Sequence, residues 1–177
     1  MPENLQEKYL LSDDEKQEIL AAFAEEIKDI SDRRGYKAQD VISLSENTPN
    51  LEQLLQNFQQ EHHHTDDEVR FIVSGHGVFI IQGKDGEFFE VFLNPGDLIS
   101  VPENIRHYFT LQEDRKVVAI RIFVTAEGWV PIYEKRKFIN NLMTHPLPPA
   151  LGFYFPAITI GYFFNILWSC DFFIKSR

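Results

Sequence analysis

The chain has 177 residues, 44% hydrophobic and 25% charged, which suits one globular domain and excludes a disordered composition. Its 27 acidic side chains outnumber 17 basic ones, and the net charge of −10 argues against nucleic acid as the main partner. The single cysteine, Cys170, excludes a disulfide framework and any cysteine-built zinc site.

The first residues are polar and acidic, unlike a secretory signal peptide, so a cytoplasmic location is expected. Ser12 with Glu15 three residues on forms a capping-box pattern that opens a helix. Ile19, Phe23, Ile27 and Ile30 recur at helical spacing and give that helix one apolar stripe. Arg33, Arg34 and Gly35 end it, with basic residues in the last turn and then a glycine. Residues 40–44 read as a short strand. Thr48 and Pro49 read as the N-cap and first position of a second helix, whose apolar face is Leu51, Leu54, Leu55 and Phe58.

From residue 61 the pattern becomes extended. Residues 69–74, 77–82, 88–93, 98–101, 107–111 and 117–124 are short β-prone runs separated by turn signals. Strands of this length and spacing predict an antiparallel sandwich or a small barrel. The expected organisation is an N-terminal helical segment (1–60), a core barrel (61–134) and a C-terminal extension (135–177).

The chemistry concentrates at residues 61–68, EHHHTDDE. On a strand, His62 and His64 point to one face, and Glu68 keeps their parity. His107 comes from a later strand. Three histidines and one carboxylate make a nitrogen and oxygen set that leaves two positions of an octahedral ion open. Such a set suits Fe(II), Ni(II) or Mn(II) better than a closed structural zinc site. His63 has the opposite parity, His76 lies between two glycines in a turn, and His145 lies in the extension. Asp66 and Asp67 read as a solvated bend or as acceptors that orient a ligand histidine.

At these positions the sequence resembles the cupin superfamily. His62, His64, Glu68 and Gly75 match its first motif, and Gly96, Pro102 and His107 match its second. Asn104 replaces a glycine of the second motif, and Gln56 stands where a glycine precedes the first histidine. A closer resemblance is to the acireductone dioxygenase family of methionine salvage. Its patterns EHxHxxDEVRFxVxGxGxF, GDLISVPxxxxH and IRxFxxxEGWV are matched at 61–79, 96–107 and 120–130, and RGYxxxDVISL at 34–44. Members of that family carry an extra N-terminal segment before the first helix and end soon after the Gly-Trp-Val segment, two respects in which this sequence differs.

The resemblance implies a mainly β cupin barrel (a double-stranded β-helix, or jelly roll) with N-terminal helices. It implies one Fe(II) or Ni(II) per chain, held by His62, His64, Glu68 and His107. The substrate would be an acireductone, 1,2-dihydroxy-3-keto-5-methylthiopentene, reacting with O2. The iron form would give formate and 4-methylthio-2-oxobutanoate, and the nickel form formate, carbon monoxide and 3-methylthiopropionate. Arg70 shares the ligand face and would stabilise the bound dianion. Arg121 lies mid-strand, where a charge is expensive unless paired or functional, so a pocket role is expected. Phe58, Phe109 and Trp129 match apolar positions around the family's substrate. A monomer is expected. The alternatives are another metal-dependent cupin enzyme, an isomerase or a different dioxygenase, and a non-catalytic cupin module that binds a small molecule.

The extension is distinct. Residues 151–177 hold 9 aromatics and only three charged residues, and 151–170 carry no charge. That run fits a membrane contact, a hydrophobic extension packed on the body, or translation past a natural stop.

Overall fold

A computed structural model describes residues 1–125, 130–133 and 173–175. A single 3-10 turn (Glu3–Leu5) leads to helices α1 (Asp13–Ala22) and α2 (Ala24–Arg34). Strand β1 (Ala38–Leu44) and helix α3 (Leu51–Phe58) follow. Eight strands come next: β2 (His62–His63), β3 (Glu68–Gly75), β4 (Gly77–Gln82), β5 (Phe88–Leu93), β6 (Leu98–Val101), β7 (His107–Leu111), β8 (Val117–Phe123) and β9 (Ile132–Tyr133). Strand β10 (Phe173–Lys175) completes the described chain.

The strands form two five-stranded sheets, β1-β8-β3-β6-β10 and β5-β4-β7-β2-β9, with every described pairing antiparallel. This is the cupin double sheet expected from the sequence. One core fills the space between the sheets, where Ile72, Phe79, Ile81, Ile99 and Phe109 meet Leu51 and Leu55 of α3. A second core lies on the outer face of the first sheet, where Val69, Val118, Ile120 and Ile122 meet Ile19 and Ile27 of the helices. The first sheet is therefore covered on both faces, and β8 is an almost unbroken apolar run. Burying one such side chain contributes about 1.5–3 kcal/mol, so these two cores dominate the stability.

The capping box at Ser12 forms as expected: Ser12 accepts from the Glu15 backbone, and the Glu15 carboxylate accepts from Ser12 N–H at 2.8 Å. Gly35 ends α2 in the left-handed region at φ 78°. Two local expectations are corrected. The single N-terminal helix is broken at Phe23 (φ −114°), where the ring turns edge-on to Phe71 at 5.1 Å. Thr48 does not cap α3. Its hydroxyl accepts from Ser45 N–H at 2.9 Å and closes a preceding turn, while left-handed Asn50 occupies the N-cap. Strands β9 and β10 have no counterpart in the predicted set. The charge-free run 151–170 lies outside the described residues, and among the described ones no helix is long and apolar enough to cross a membrane.

Gly75 ends β3 at φ 68°, and a Cβ there would sit 2.2 Å from the carbonyl oxygen of Lys116. Only glycine fits, which explains the motif position it occupies. Asn104 stands where a glycine was expected and adopts φ 61°, a conformation asparagine tolerates better than most residues. Its N–H donates to the His64 carbonyl at 2.8 Å, so the turn before β7 is tied to the histidine segment.

Candidate metal centre

Three segments bring the polar groups together inside the barrel. Strand β2 is only two residues long, yet it is held on both sides: His62 pairs with His107 of β7 and with Tyr133 of β9. Glu68 opens β3, and His107 opens β7. The inward parity of Glu68 continues through Arg70 and Ile72, and that of His107 through Phe109 and Leu111. The histidine and carboxylate ligand atoms of His62, His64, Glu68 and His107 all lie within 4.8 Å of one another. Ligand atoms about 2.1 Å from an ion stand roughly 3–4.2 Å apart, so the four groups need only a small contraction to hold one.

The imidazoles are oriented alike. Nδ1 of His62 faces the Gln60 carbonyl at 2.6 Å, that of His64 the Val130 carbonyl at 3.1 Å, and that of His107 the Ile105 carbonyl at 2.8 Å. A carbonyl can only accept, so each Nδ1 carries a proton, and Nε2 is the nitrogen that each ring turns away from its carbonyl. His64 Nε2 and His107 Nε2 lie 3.0 and 2.9 Å from one oxygen of Glu68. This donor set could hold a divalent cation, with ring orientation supplied by the backbone.

Glu68 is 2% exposed. Burial pushes its carboxyl up, but the Arg70 charge and the hydrogen bonds to His107 and His64 outweigh burial and hold it well below its ordinary range. The buried site thus keeps a carboxylate rather than a carboxylic acid. Burial lowers the His62 imidazole; the Gln60 carbonyl and the Glu68 charge raise it, and His107 and His64 lower it, leaving the net shift downward. That direction favours the neutral, metal-binding form.

Arg70 is buried, which excludes a surface role. Its Nε lies 2.8 Å from the second oxygen of Glu68, and its guanidinium stands 4.5 Å from the Phe109 ring centre and 5.2 Å from that of Phe79. Arg121 is the register partner of Arg70 on β8 and is half-buried. It forks onto Asp40 of β1, with Nε 2.7 Å from one carboxylate oxygen. The mid-strand charge is therefore paired.

The remaining expected positions divide. Phe109 lies in the inner core beneath Arg70, and Phe58 packs edge-on against it at 6.4 Å. Trp129 lies outside the described residues. His76 pairs with Asp114 at 2.8 Å on the surface. Asp67 does not orient a ligand histidine: it accepts from the Tyr36 hydroxyl at 3.0 Å and from the Glu103 backbone, and it pairs with Arg34. The orienting groups are backbone carbonyls, which carry no signal in a sequence. Asp40 was also missed. Its signal was its parity with Ile42 and Leu44, both on the inner face.

The family model described as ARD/ARD′ matches residues 1–131. Acireductone dioxygenase of Bacillus licheniformis is 78% identical over 135 residues, spanning 76% of this chain and 75% of its own length. That of Bacillus subtilis is 78% identical over 135 residues, 76% of each chain. A solved structure of acireductone dioxygenase from Bacillus anthracis, with a cadmium ion in its active centre, superposes with a TM-score of 0.72 at 74% identity. It covers 75% of this chain and 77% of that one.

Proposed function

We propose the reaction from one premise: the chain belongs to the ARD/ARD′ family, whose curated members named above are acireductone dioxygenases. The chain is accordingly a metal-dependent dioxygenase. We assign the ion to His62, His64, Glu68 and His107, and we assign as substrate the enediol-ketone 1,2-dihydroxy-3-keto-5-methylthiopentene with O2 as co-substrate. The observation that carries this reading is the convergence of three Nε2 atoms and a carboxylate inside a barrel, with a buried arginine at their side. The reading takes the chain as a cytoplasmic monomer without a nucleic-acid partner.

The four residues fit Fe(II) or Ni(II), since imidazole nitrogen and carboxylate oxygen serve both. When bound, such an ion supplies Lewis acidity and a template that fixes the enediolate for attack by O2. The chain's own groups do the rest. The three carbonyl anchors fix the imidazole planes and aim each Nε2 inward. Arg70 supplies a fixed positive charge beside the ligands, where a deprotonated enediol needs compensation, and burial strengthens that interaction. Phe109 and Phe79 hold the guanidinium from below and exclude water. Phe58 and Phe109 provide apolar surface for a methylthio tail, Trp129 is assigned to the same role from the family motif alone, and Arg121 adds a second cation.

The test is oxygen uptake with acireductone by the full chain loaded separately with iron and nickel. The iron form should yield formate and 4-methylthio-2-oxobutanoate, and the nickel form formate, carbon monoxide and 3-methylthiopropionate. Identical products from both would point to another cupin chemistry, and binding without oxygen uptake to a binding module.

A further inference from the structure

We propose that Asp40 is a positioning residue of the substrate site: it holds Arg121 beside Arg70, so that two guanidiniums act together on the anionic substrate. This rests on the reaction proposed above. The relevant side chains form one row across the first sheet. Asp40 is the register partner of Arg121, and Arg121 is the register partner of Arg70. Directly opposed residues share a face, and Ala119 and Val117 on the same parity of β8 lie in the inner core. The row therefore runs along the wall of the barrel that carries Glu68.

Two arginines abreast repel each other. Each has its own carboxylate: Glu68, two residues along β3, for Arg70, and Asp40, across the pairing on β1, for Arg121. The two carboxylates differ in what they are free to do. Glu68 belongs to the ligand set, and charge it donates to an ion is no longer spent on Arg70. Asp40 lies two strands from β3, about 10 Å away at ordinary strand spacing; its charge is felt at Arg70, but its hydrogen bonds are made to Arg121. Arg121 is held by both ends of its fork, a geometry that fixes the guanidinium plane. Without Asp40 the repulsion from Arg70 and the 28% exposure of the Arg121 side chain favour a swing toward solvent. The enediolate would then meet one cation instead of two.

Steady-state kinetics of the iron-loaded full chain tests this on Asp40→Ala, Asp40→Asn and Asp40→Glu. Asp40→Ala should raise KM for acireductone about tenfold, with kcat within about threefold and metal content unchanged, the pattern of lost binding. Asp40→Asn keeps the shape without the charge and should shift KM the same way even if Asp40→Ala folds poorly. Asp40→Glu should restore KM to within about threefold of wild type. Unchanged KM in Asp40→Asn, with an active wild type, overturns the role of Asp40 and leaves the reaction standing. A fall in kcat alone, unrelieved by glutamate, marks a structural role and overturns it too. A metal-loaded wild type that consumes no acireductone overturns the reaction, and this role with it.

Discussion

His62 and His107 stand directly opposite each other across β2 and β7, with ring centres 4.7 Å apart. This register pair brings the first histidine motif against the second. It predicts that metal binding depends on both rings and not on His63, whose parity points it the other way. His107→Ala should reduce metal from about one ion per chain to near none after dialysis, measured by elemental analysis. His63→Ala should keep nearly all of it. Metal lost from His63→Ala and kept by His62→Ala would place the ligand register one residue out.

Arg70 and Glu68 predict a separation of binding from turnover. Arg70→Lys keeps a charge near Glu68 but loses the planar fork that lies over Phe109. Metal content should stay near wild type while kcat/KM falls about 100-fold, the scale of removing one preorganised charge donor. Arg70→Ala should fall further and also lose stability, because Glu68 would keep a buried charge with one partner fewer. Full activity in a folded Arg70→Lys variant would remove the arginine from the reaction.

Much of this site was legible beforehand, because parity and spacing are properties of a sequence. The HxH spacing marked His62 and His64 and the turn after β3 needed glycine at Gly75, but a bend at Thr65 and Asp66 parts the histidines from Glu68, so strand parity alone does not bring the carboxylate to them. What stayed hidden depends on pairing between distant segments. The partner of Arg121 is set by the register of β1 against β8, 81 residues apart. The groups that fix the imidazoles are the carbonyls of Gln60, Ile105 and Val130, and any residue type supplies a carbonyl. The break at Phe23 was masked because Ile19 and Ile27 keep helical spacing across it. Thr48 misled because a threonine hydroxyl closes turns as readily as it caps helices.

Tyr36 predicts how stability responds to alkaline pH. Its hydroxyl is buried against Asp67, and burial first, then the Asp67 charge, raises its pKa to about 12. A tyrosine of the unfolded chain ionises near pH 10. Between these values the folded state binds more protons than the unfolded one, so stability falls as pH rises from about 10 to about 12. Thermal unfolding from pH 9 to 11.5 should show a steeper loss in wild type than in Tyr36→Phe, whose melting temperature should also be lower at pH 8 from loss of the Asp67 hydrogen bond. Equal slopes would show that Tyr36 does not contribute.

The last prediction concerns where the chain can be cut. The ligands lie between His62 and His107, but the carbonyl that orients His64 belongs to Val130, and Tyr133 of β9 pairs with His62. A truncation after Lys137 keeps both groups and removes the charge-free run 151–170 and β10, which pairs with β6 over three residues at the edge of the first sheet. Metal content and turnover should survive this cut, and solubility should rise with the loss of nine aromatics from residues 151–177. A cut after Thr125 removes the Val130 carbonyl and β9. Loss of an orienting partner typically costs 10–100-fold in metal affinity, so this shorter chain should bind the ion at least about tenfold more weakly. Equal affinity in the two truncations would show that β9 contributes nothing to the centre. Loss of the fold in the longer one would make the extension structural, with the β10–β6 pairing as the contact to restore.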